Sequence, residues 1–312
     1  MAEIVITEFM DEAAISSVLS GRDVVYNPKL VDQPEELARL VKDARALIVR
    51  NRTQVRGALL DSAAKLEVVG RLGVGLDNID VEACKARGIA VYPATGANDV
   101  SVAEYVITAM LVLLRKAWFA NSEVISGKWP RMSTIGREVQ GKTLGLVGLG
   151  GIARETASRA RALGMSVIAF DPLLPIDHAA WQLASSVSLE ELIAHSDVIS
   201  FHVPLTASTK RMIGPPQIAA MKRGSVIINA ARGGVIDEAA VVDALRSGQL
   251  GGAALDVFET EPLDTKAGAL FAGVPNLILT PHIAGVTEES NVRVSEVTAR
   301  TVLSHLTRSD GR

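Results

Sequence analysis

Three residues far apart in the chain are of the kind that can hold an oxyanion and move a proton. Arg232 lies in Asn229-Ala230-Ala231-Arg232-Gly233-Gly234, Glu261 in Asp256-Val257-Phe258-Glu259-Thr260-Glu261-Pro262, and His282 in Thr280-Pro281-His282-Ile283-Ala284-Gly285. A planar guanidinium can grip a carboxylate and a ketone oxygen together. An imidazole can give a proton to a developing alkoxide or take one from a hydroxyl. A carboxylate bonded to one imidazole nitrogen fixes the tautomer and favours the protonated ring. Together these groups supply what reduction of a 2-oxo acid needs besides hydride: a cation, a carbonyl polariser and a proton donor. Singly, each has a plainer explanation: Arg232 as a solvated turn residue, His282 as a satisfied histidine behind a proline, and Glu261 as a loop acid.

A hydride source is indicated by Val147-Gly148-Leu149-Gly150-Gly151-Ile152-Ala153, which follows an apolar strand pattern and opens a helical one. Gly148 permits the tight turn, and Gly150 lets the main chain approach a pyrophosphate. Small Ala153 lets helix and strand pack closely, while the amides at Gly151 and Ile152 face the anion. Asp171 ends the next strand, about 20 residues beyond Gly150, where a carboxylate accepts from both hydroxyls of an adenosine ribose. A 2′-phosphate would meet that negative charge, and Pro172-Leu173-Leu174-Pro175 offers no arginine to neutralise it. NAD is therefore expected rather than NADP.

These residues need strands to end beside them, and the chain supplies two series. Ile4–Ile6, Ala46–Val49, Leu66–Gly70 and Ile89–Tyr92 alternate with helical patterns, the signature of βαβ units and a parallel sheet. Asp99 to Phe119 reads as one long connecting helix. A second series follows, with strands expected at 143–147, 166–170, 198–201, 225–229, 253–257 and 277–280, matching a doubly wound fold. The closing helix, Glu288 to Leu306, has no strand after it and is free to return to the first sheet.

Size and composition narrow the partners. The chain has 312 residues, 48% of them hydrophobic, which favours two domains with sizeable cores. A net charge of −3, without long runs of either sign, gives no reason to expect nucleic acid or a membrane surface. The start, Met1-Ala2-Glu3-Ile4, lacks the pattern of a secretory signal, so a cytoplasmic location is expected. The apolar run Val106–Leu114 is too short to span a bilayer and reads as a core or interface helix. The single cysteine, Cys84, reads as a packing residue, and no metal site is expected.

With these motifs in place, the chain resembles the D-isomer-specific 2-hydroxyacid dehydrogenases, D-3-phosphoglycerate dehydrogenase among them, from Ile48-Val49-Arg50 to Pro281-His282-Ile283. The resemblance implies an α/β fold: two Rossmann-like domains with doubly wound parallel sheets and an interdomain active-site cleft. Residues 1–97 plus 287–312 would form a discontinuous, flavodoxin-like substrate-binding domain, and residues 98–286 the NAD-binding Rossmann domain. It implies catalytic roles for Arg232, Glu261 and His282. Substrate contacts are implied at Arg50, Asn51, Gly73, Val74, Gly75, Asn98, Arg232 and His282. Cofactor contacts are implied at Ser101, Val203, Pro204, Ala230, Arg232, Asp256 and His282, beside the glycine loop and Asp171. His202 reads as structural, and a homodimer built around the connecting helix is implied.

Departures from the family pattern are Ala153 at the third fingerprint position and Ala284 next to His282, where many relatives carry glycine. Ending at Arg312, the chain leaves no room for an appended regulatory domain, so serine feedback is not expected. Within the family the expected activity is that of a D-3-phosphoglycerate dehydrogenase-like enzyme; glyoxylate or hydroxypyruvate, D-lactate and sulfolactate are alternatives. Arg50 and Arg52 suggest a substrate with a second anionic group, against the alternative that Arg52 simply faces solvent. A non-catalytic NAD(H)-sensing protein is the reading from another class, and turnover separates the two. Formate oxidation is disfavoured, because that branch resembles a glutamine at the position of Glu261.

Overall fold

The computed structural model describes residues 2–311; Met1 and Arg312, the outer limits of the expected substrate domain, lie outside the described residues. The chain divides into two compact units, Met1–Asn98 with Val286–Arg312, and Asp99–Gly285.

In the first unit five parallel strands are β1 (Ile4–Ile6), β2 (Val24–Tyr26), β3 (Ala46–Val49), β4 (Val68–Arg71) and β5 (Ala90–Pro93), in the order β2-β1-β3-β4-β5. β1 and β3 are apolar throughout because helices cover both faces, the rule for parallel sheets. Val5, Leu47, Val49 and Val69 pack with Leu37, Val41, Leu60 and Cys84 on one side, where burial pushes the Cys84 thiol up. Ile4, Ile6, Ile48 and Val68 pack with Val294, Ala299, Val302 and Leu306 of the closing helix, Glu288–Asp310, on the other. That helix lies so close to β4 that a Cβ on Gly70 would stand 2.7 Å from the Val302 side chain. β2, absent from the sequence reading, is a three-residue, half-buried edge between polar residues, too short to show a period.

The second unit holds seven parallel strands: β6 (Thr143–Val147), β7 (Ser166–Phe170), β8 (Ser185–Ser186), β9 (Val198–Phe201), β10 (Ser225–Asn229), β11 (Leu250–Leu255) and β12 (Leu277–Leu279). Their order is β12-β11-β10-β9-β6-β7-β8, so the winding reverses between β6 and β9. Ligands of open α/β sheets bind outside the carboxyl ends of the strands at such a switch point. β8 is a two-residue edge that leaves no pattern in the sequence. β11 starts three residues earlier than its apolar run suggested. Gly251 and Gly252, turn-like on paper, are needed inside it: a Cβ on Gly251 would lie 2.4 Å from the Gly224 carbonyl oxygen.

The connecting helix is Asp99–Arg115, shorter than the expected run to Phe119. Lys116 turns left-handed at φ 57°, and a separate 3-10 turn, Ala117–Ala120, follows. The Arg137 N–H donates to the Leu114 carbonyl at 2.8 Å, taking an acceptor that a longer helix would have used. Val106, Ala109, Met110, Leu113 and Leu114 are core residues, seated against the small Ala153, Ala157 and Ala160 of the Gly151–Ala162 helix. The exposed apolar side chains come later, at Trp118, Ile125, Trp129 and Met132. Among the described residues no helix is long and apolar enough to cross a membrane.

Candidate active site

The strand ends of the second unit carry almost every residue singled out for chemistry or cofactor. Read across the sheet, Asp171 follows β7, Gly148 follows β6, and His202, Val203 and Pro204 follow β9. Ala230 and Arg232 follow β10, Asp256 follows β11, and His282 follows β12. One edge of one parallel sheet therefore presents an acid, a glycine turn, a cation and an imidazole in sheet order. Ser101 is set apart, buried in the connecting helix.

The glycine turn fits a dinucleotide. Gly148 sits at φ 90°, and a Cβ there would lie 2.7 Å from the His202 carbonyl oxygen, so only glycine makes this turn beside β9. A Cβ on Gly150 would meet nothing within 4 Å, leaving open space where a pyrophosphate can approach. No side chain caps the Gly151–Ala162 helix, so its first-turn amides remain for an anion. Asp171 braces the turn: Oδ2 accepts from the Leu149 N–H at 2.9 Å and Oδ1 from the Leu173 N–H at 3.0 Å. Carboxylate oxygens keep further acceptor capacity after one bond each, which a ribose can use.

His202 is half-buried beside the turn, and its Nε2 lies 3.0 Å from Ser200 Oγ. Its surroundings hold its pKa down at about 4 by desolvation, so the ring stays neutral at physiological pH.

At the other end of the sheet edge, His282 Nδ1 lies 2.7 Å from Glu261 Oε2. Burial would raise the Glu261 carboxyl. The His282 hydrogen bond, the Phe258 N–H and the charges of His282 and Arg232 outweigh it and hold that carboxyl below its usual range. Glu261 is thus an ionised partner for the imidazole, leaving Nε2 as the nitrogen that can serve a ligand. Arg232 is placed by Asn229, which is 1% exposed: its Nδ2 donates to the Arg232 carbonyl at 2.9 Å, and its Oδ1 accepts from Ala231 N–H at 3.1 Å. The Arg232 Nη1 donates to the Ala231 carbonyl at 2.6 Å. Gly233 is obligatory in this turn, since a Cβ would fall 1.7 Å from the Phe258 carbonyl oxygen.

His282 itself has φ 56°, a left-handed conformation that costs a non-glycine residue of order 1–3 kcal/mol unless its surroundings impose it. Asp256 imposes it. Its backbone carbonyl accepts from His282 N–H at 2.9 Å, Oδ1 accepts from Ile283 N–H at 2.8 Å, and Oδ2 accepts from Ala284 N–H at 2.8 Å. Asp256, the acid expected on the nicotinamide side, is buried and clasps the imidazole-bearing loop.

The first unit places its own candidates at strand ends too: Arg50 and Asn51 after β3, Gly73, Val74 and Gly75 after β4, and Asn98 beyond β5. Arg50 is half-buried, donates through Nη2 to Asn291 Oδ1 at 2.8 Å, and lies 5.8 Å over the Phe9 ring. Burial lowers its pKa against the opposing charge of Glu8. Glu8 uses its oxygens on the backbone amides of Arg50, Arg52 and Thr53, so among the described residues Arg50 has no carboxylate ion pair. Arg52, by contrast, is exposed and paired with Asp32. Gly73 has φ 139°, and the buried Asn98 Oδ1 has no hydrogen-bond partner among the described residues.

Two features escaped the sequence reading. Asp99 looks like an ordinary first-turn acid, yet its Oδ2 would lie 2.1 Å from a Cβ on Gly151, so the glycine that follows Gly150 lets this carboxylate lie against the turn. Burial raises the Asp99 carboxyl, Glu155 adds to this and Arg154 opposes it. Tyr105 carries no motif and Thr280 was given no role in the His282 segment, but they reach the Asp256 clasp. Among the described residues no cluster of three or more His, Cys, Asp or Glu side chains is arranged to hold a metal.

A site of this form, a dinucleotide turn and an acid-braced imidazole on one sheet edge, defines a nicotinamide-dependent oxidoreductase. Residues 107–284 match the family model "D-isomer specific 2-hydroxyacid dehydrogenase, NAD binding domain". The chain is 51% identical over 303 residues to the (S)-sulfolactate dehydrogenase of Chromohalobacter salexigens, covering 97% of both chains. It is 41% identical over 303 residues to the D-3-phosphoglycerate dehydrogenase of Methanocaldococcus jannaschii, covering 97% of this chain but 57% of that one. The D-lactate dehydrogenase of Aquifex aeolicus, solved with NAD and lactic acid, superposes with a TM-score of 0.84 at 29% identity, covering 98% of this chain and 96% of that one. The chain belongs to the D-isomer specific 2-hydroxyacid dehydrogenase family, and NAD is its cofactor.

Proposed function

We propose that the chain interconverts a three-carbon D-2-hydroxy acid bearing a second anion and the matching 2-oxo acid, with a sulfonate as the foremost candidate for that anion. The observation that carries the reaction is the 2.7 Å bond between His282 Nδ1 and Glu261 Oε2 on the sheet edge that bears Arg232. In the reducing direction the Arg232 guanidinium grips the substrate carboxylate and the keto oxygen. His282 Nε2–H donates to the same keto oxygen, polarises it, and passes its proton as alkoxide character develops. Glu261 holds the ring through Nδ1 and balances its charge until the proton leaves. NADH, when bound at the Gly148–Ile152 turn with its ribose on Asp171, supplies the hydride. Val203, Pro204, Ala230 and Ser101 complete the cofactor contacts, and Asn51, Gly73, Val74, Gly75 and Asn98 the substrate contacts.

The second anion is assigned to Arg50, a half-buried cation without a carboxylate partner among the described residues, rather than to Arg52, which has one in Asp32. Sulfolactate suits both this cation and a D-specific site. In the priority rules sulfur outranks oxygen, so the carbon bearing the sulfonate outranks the carboxylate. The S label of sulfolactate therefore describes the spatial arrangement called D in lactate and phosphoglycerate. NADH oxidation with sulfopyruvate, 3-phosphohydroxypyruvate, hydroxypyruvate and pyruvate is the test. The expected result is highest kcat/KM for sulfopyruvate, with Arg50→Ala costing that substrate about tenfold to a hundredfold and pyruvate little. Equal losses on all four would refute the role given to Arg50.

We further read the protein as a cytoplasmic homodimer. The exposed apolar run from Trp118 to Met132 supports association through the segment after the connecting helix. Sedimentation is expected to give twice the 33.0 kDa chain mass, and Trp118→Ser with Trp129→Ser to shift it toward one chain; a monomeric wild type contradicts this reading.

A further inference from the structure

Asp256 is 1% exposed, and its carboxylate is committed on every side. Besides the amides of Ile283 and Ala284, Oδ1 accepts the hydroxyl proton of Thr280 at 2.6 Å. A threonine hydroxyl has one proton, and this one goes to Asp256. The contact of 2.6 Å between Thr280 Oγ1 and the Tyr105 hydroxyl must then have Tyr105 as its donor. The result is a directed chain, Tyr105 O–H to Thr280 O–H to Asp256, which ends on the loop that holds His282 at φ 56°.

Tyr105 is suited to anchor it. It stands in the first half of the Asp99–Arg115 helix, packed against the core formed by that helix and the Gly151–Ala162 helix, so its hydroxyl is fixed by packing and not by the loop it serves. Burial, with the charge of Asp256 adding to it and the Thr280 bond opposing, pushes its pKa up to about 12, so the donor proton is retained across the physiological range.

We propose that Tyr105 is a positioning residue for the reaction: through Thr280 and Asp256 it holds the His282–Ala284 loop in the strained turn that presents the imidazole to Glu261. The inference rests on the reading of His282 as the proton donor. The charged groups around the ring are Glu261 in contact, Asp256 beneath the loop, Arg232, whose charge acts on Glu261, and Glu238, on which the Glu261 charge acts. Removing only the Tyr105 oxygen frees Thr280 to turn its hydroxyl, loosens one side of the Asp256 clasp and lets the ring drift from Glu261.

The test is the 15N chemical shift of the His282 ring nitrogens in the cofactor-free protein, combined with steady-state kinetics. 15N-labelled histidine supplies the signals, and their loss in His282→Ala assigns them. Tyr105→Phe is expected to shift or broaden the Nδ1 signal and lower kcat about threefold to thirtyfold, with the KM for NADH within about twofold. Thr280→Val is expected to do the same, and Thr280→Ser, which keeps the hydroxyl, to restore the wild-type signal. Wild-type signals and kcat in Tyr105→Phe overturn the proposal, even if its Tm falls. Should Tyr105→Phe not fold, Thr280→Val and Thr280→Ser decide, and identical Nδ1 signals in that pair overturn it. Turnover surviving in His282→Ala refutes the underlying assignment of the proton donor; turnover lost there with Tyr105→Phe unchanged refutes the role of Tyr105 alone.

Discussion

His282→Ala is expected to lower kcat by about a hundredfold to ten-thousandfold while leaving the Kd for NADH within about threefold of wild type. The split follows from where the residue stands. The dinucleotide turn is built on β6 and braced by Asp171 from β7, whereas the imidazole belongs to the loop after β12 and is held by Glu261 and Asp256. In sheet order three strands separate β12 from β6, so truncating the ring leaves the glycine turn and its amides in place. Fluorescence titration with NADH and steady-state reduction of the best 2-oxo acid measure the two quantities. A large loss of NADH affinity with kcat preserved would show that His282 serves the cofactor and not the proton.

The second large effect is at Arg232. Arg232→Ala removes two charge-assisted hydrogen bonds to the substrate, each worth about 1.5–3 kcal/mol, and kcat/KM is expected to fall by about a hundredfold to ten-thousandfold. Part of the loss appears in KM, because the carboxylate is gripped in the ground state, and added guanidinium is expected to recover some activity. A pH consequence accompanies it. The Arg232 charge is one of the influences holding the Glu261 carboxyl low. Without it the Glu261 pKa rises, protonation of the carboxylate begins at higher pH, and the acid-side decline of activity moves toward neutrality. A pH profile of Arg232→Ala whose acid side coincides with wild type would contradict the coupling between Arg232 and Glu261.

How much of this was legible in the sequence depended on whether a residue's role is local or relational. The glycine turn was legible because φ and the space at a Cβ are properties of a short segment: Gly148 at φ 90° and open space at Gly150 are what the spacing of the motif encodes. The parallel strands β6, β7, β9 and β10 were legible because each is a short, mainly apolar and β-branched run bounded by polar or turn residues. Edge strands β2 and β8, two or three residues long, carry no such run. The start of β11 was obscured by Gly251 and Gly252, whose reason is the approach of Gly224 and Asn276, distant in sequence. The end of the connecting helix was misplaced because apolar residues continue past Lys116, while the acceptor at Leu114 is claimed by Arg137, more than twenty residues on.

The same distinction runs through the site. Arg232, Glu261 and His282 could be picked out because each sits in a recognisable segment. That His282 is left-handed, and that Asp256 clasps its loop from β11, could not be, since both depend on neighbouring strand ends. Asp99 and Tyr105 carry no motif at all, and their contacts with Gly151 and Thr280 arise only when the connecting helix lies on the second sheet. Arg50 and Arg52 looked equivalent in sequence; burial and the Asp32 ion pair separate them.

The most direct measurement is a crystal structure of the protein with NADH and oxamate, an unreactive mimic of a 2-oxo acid. The account predicts that the oxamate amide oxygen, which stands for the keto oxygen of the substrate, lies within about 3 Å of both His282 Nε2 and the Arg232 guanidinium, with Nδ1 still on Glu261. Oxamate bound beside the nicotinamide with the imidazole turned away from it and from Glu261 would contradict it.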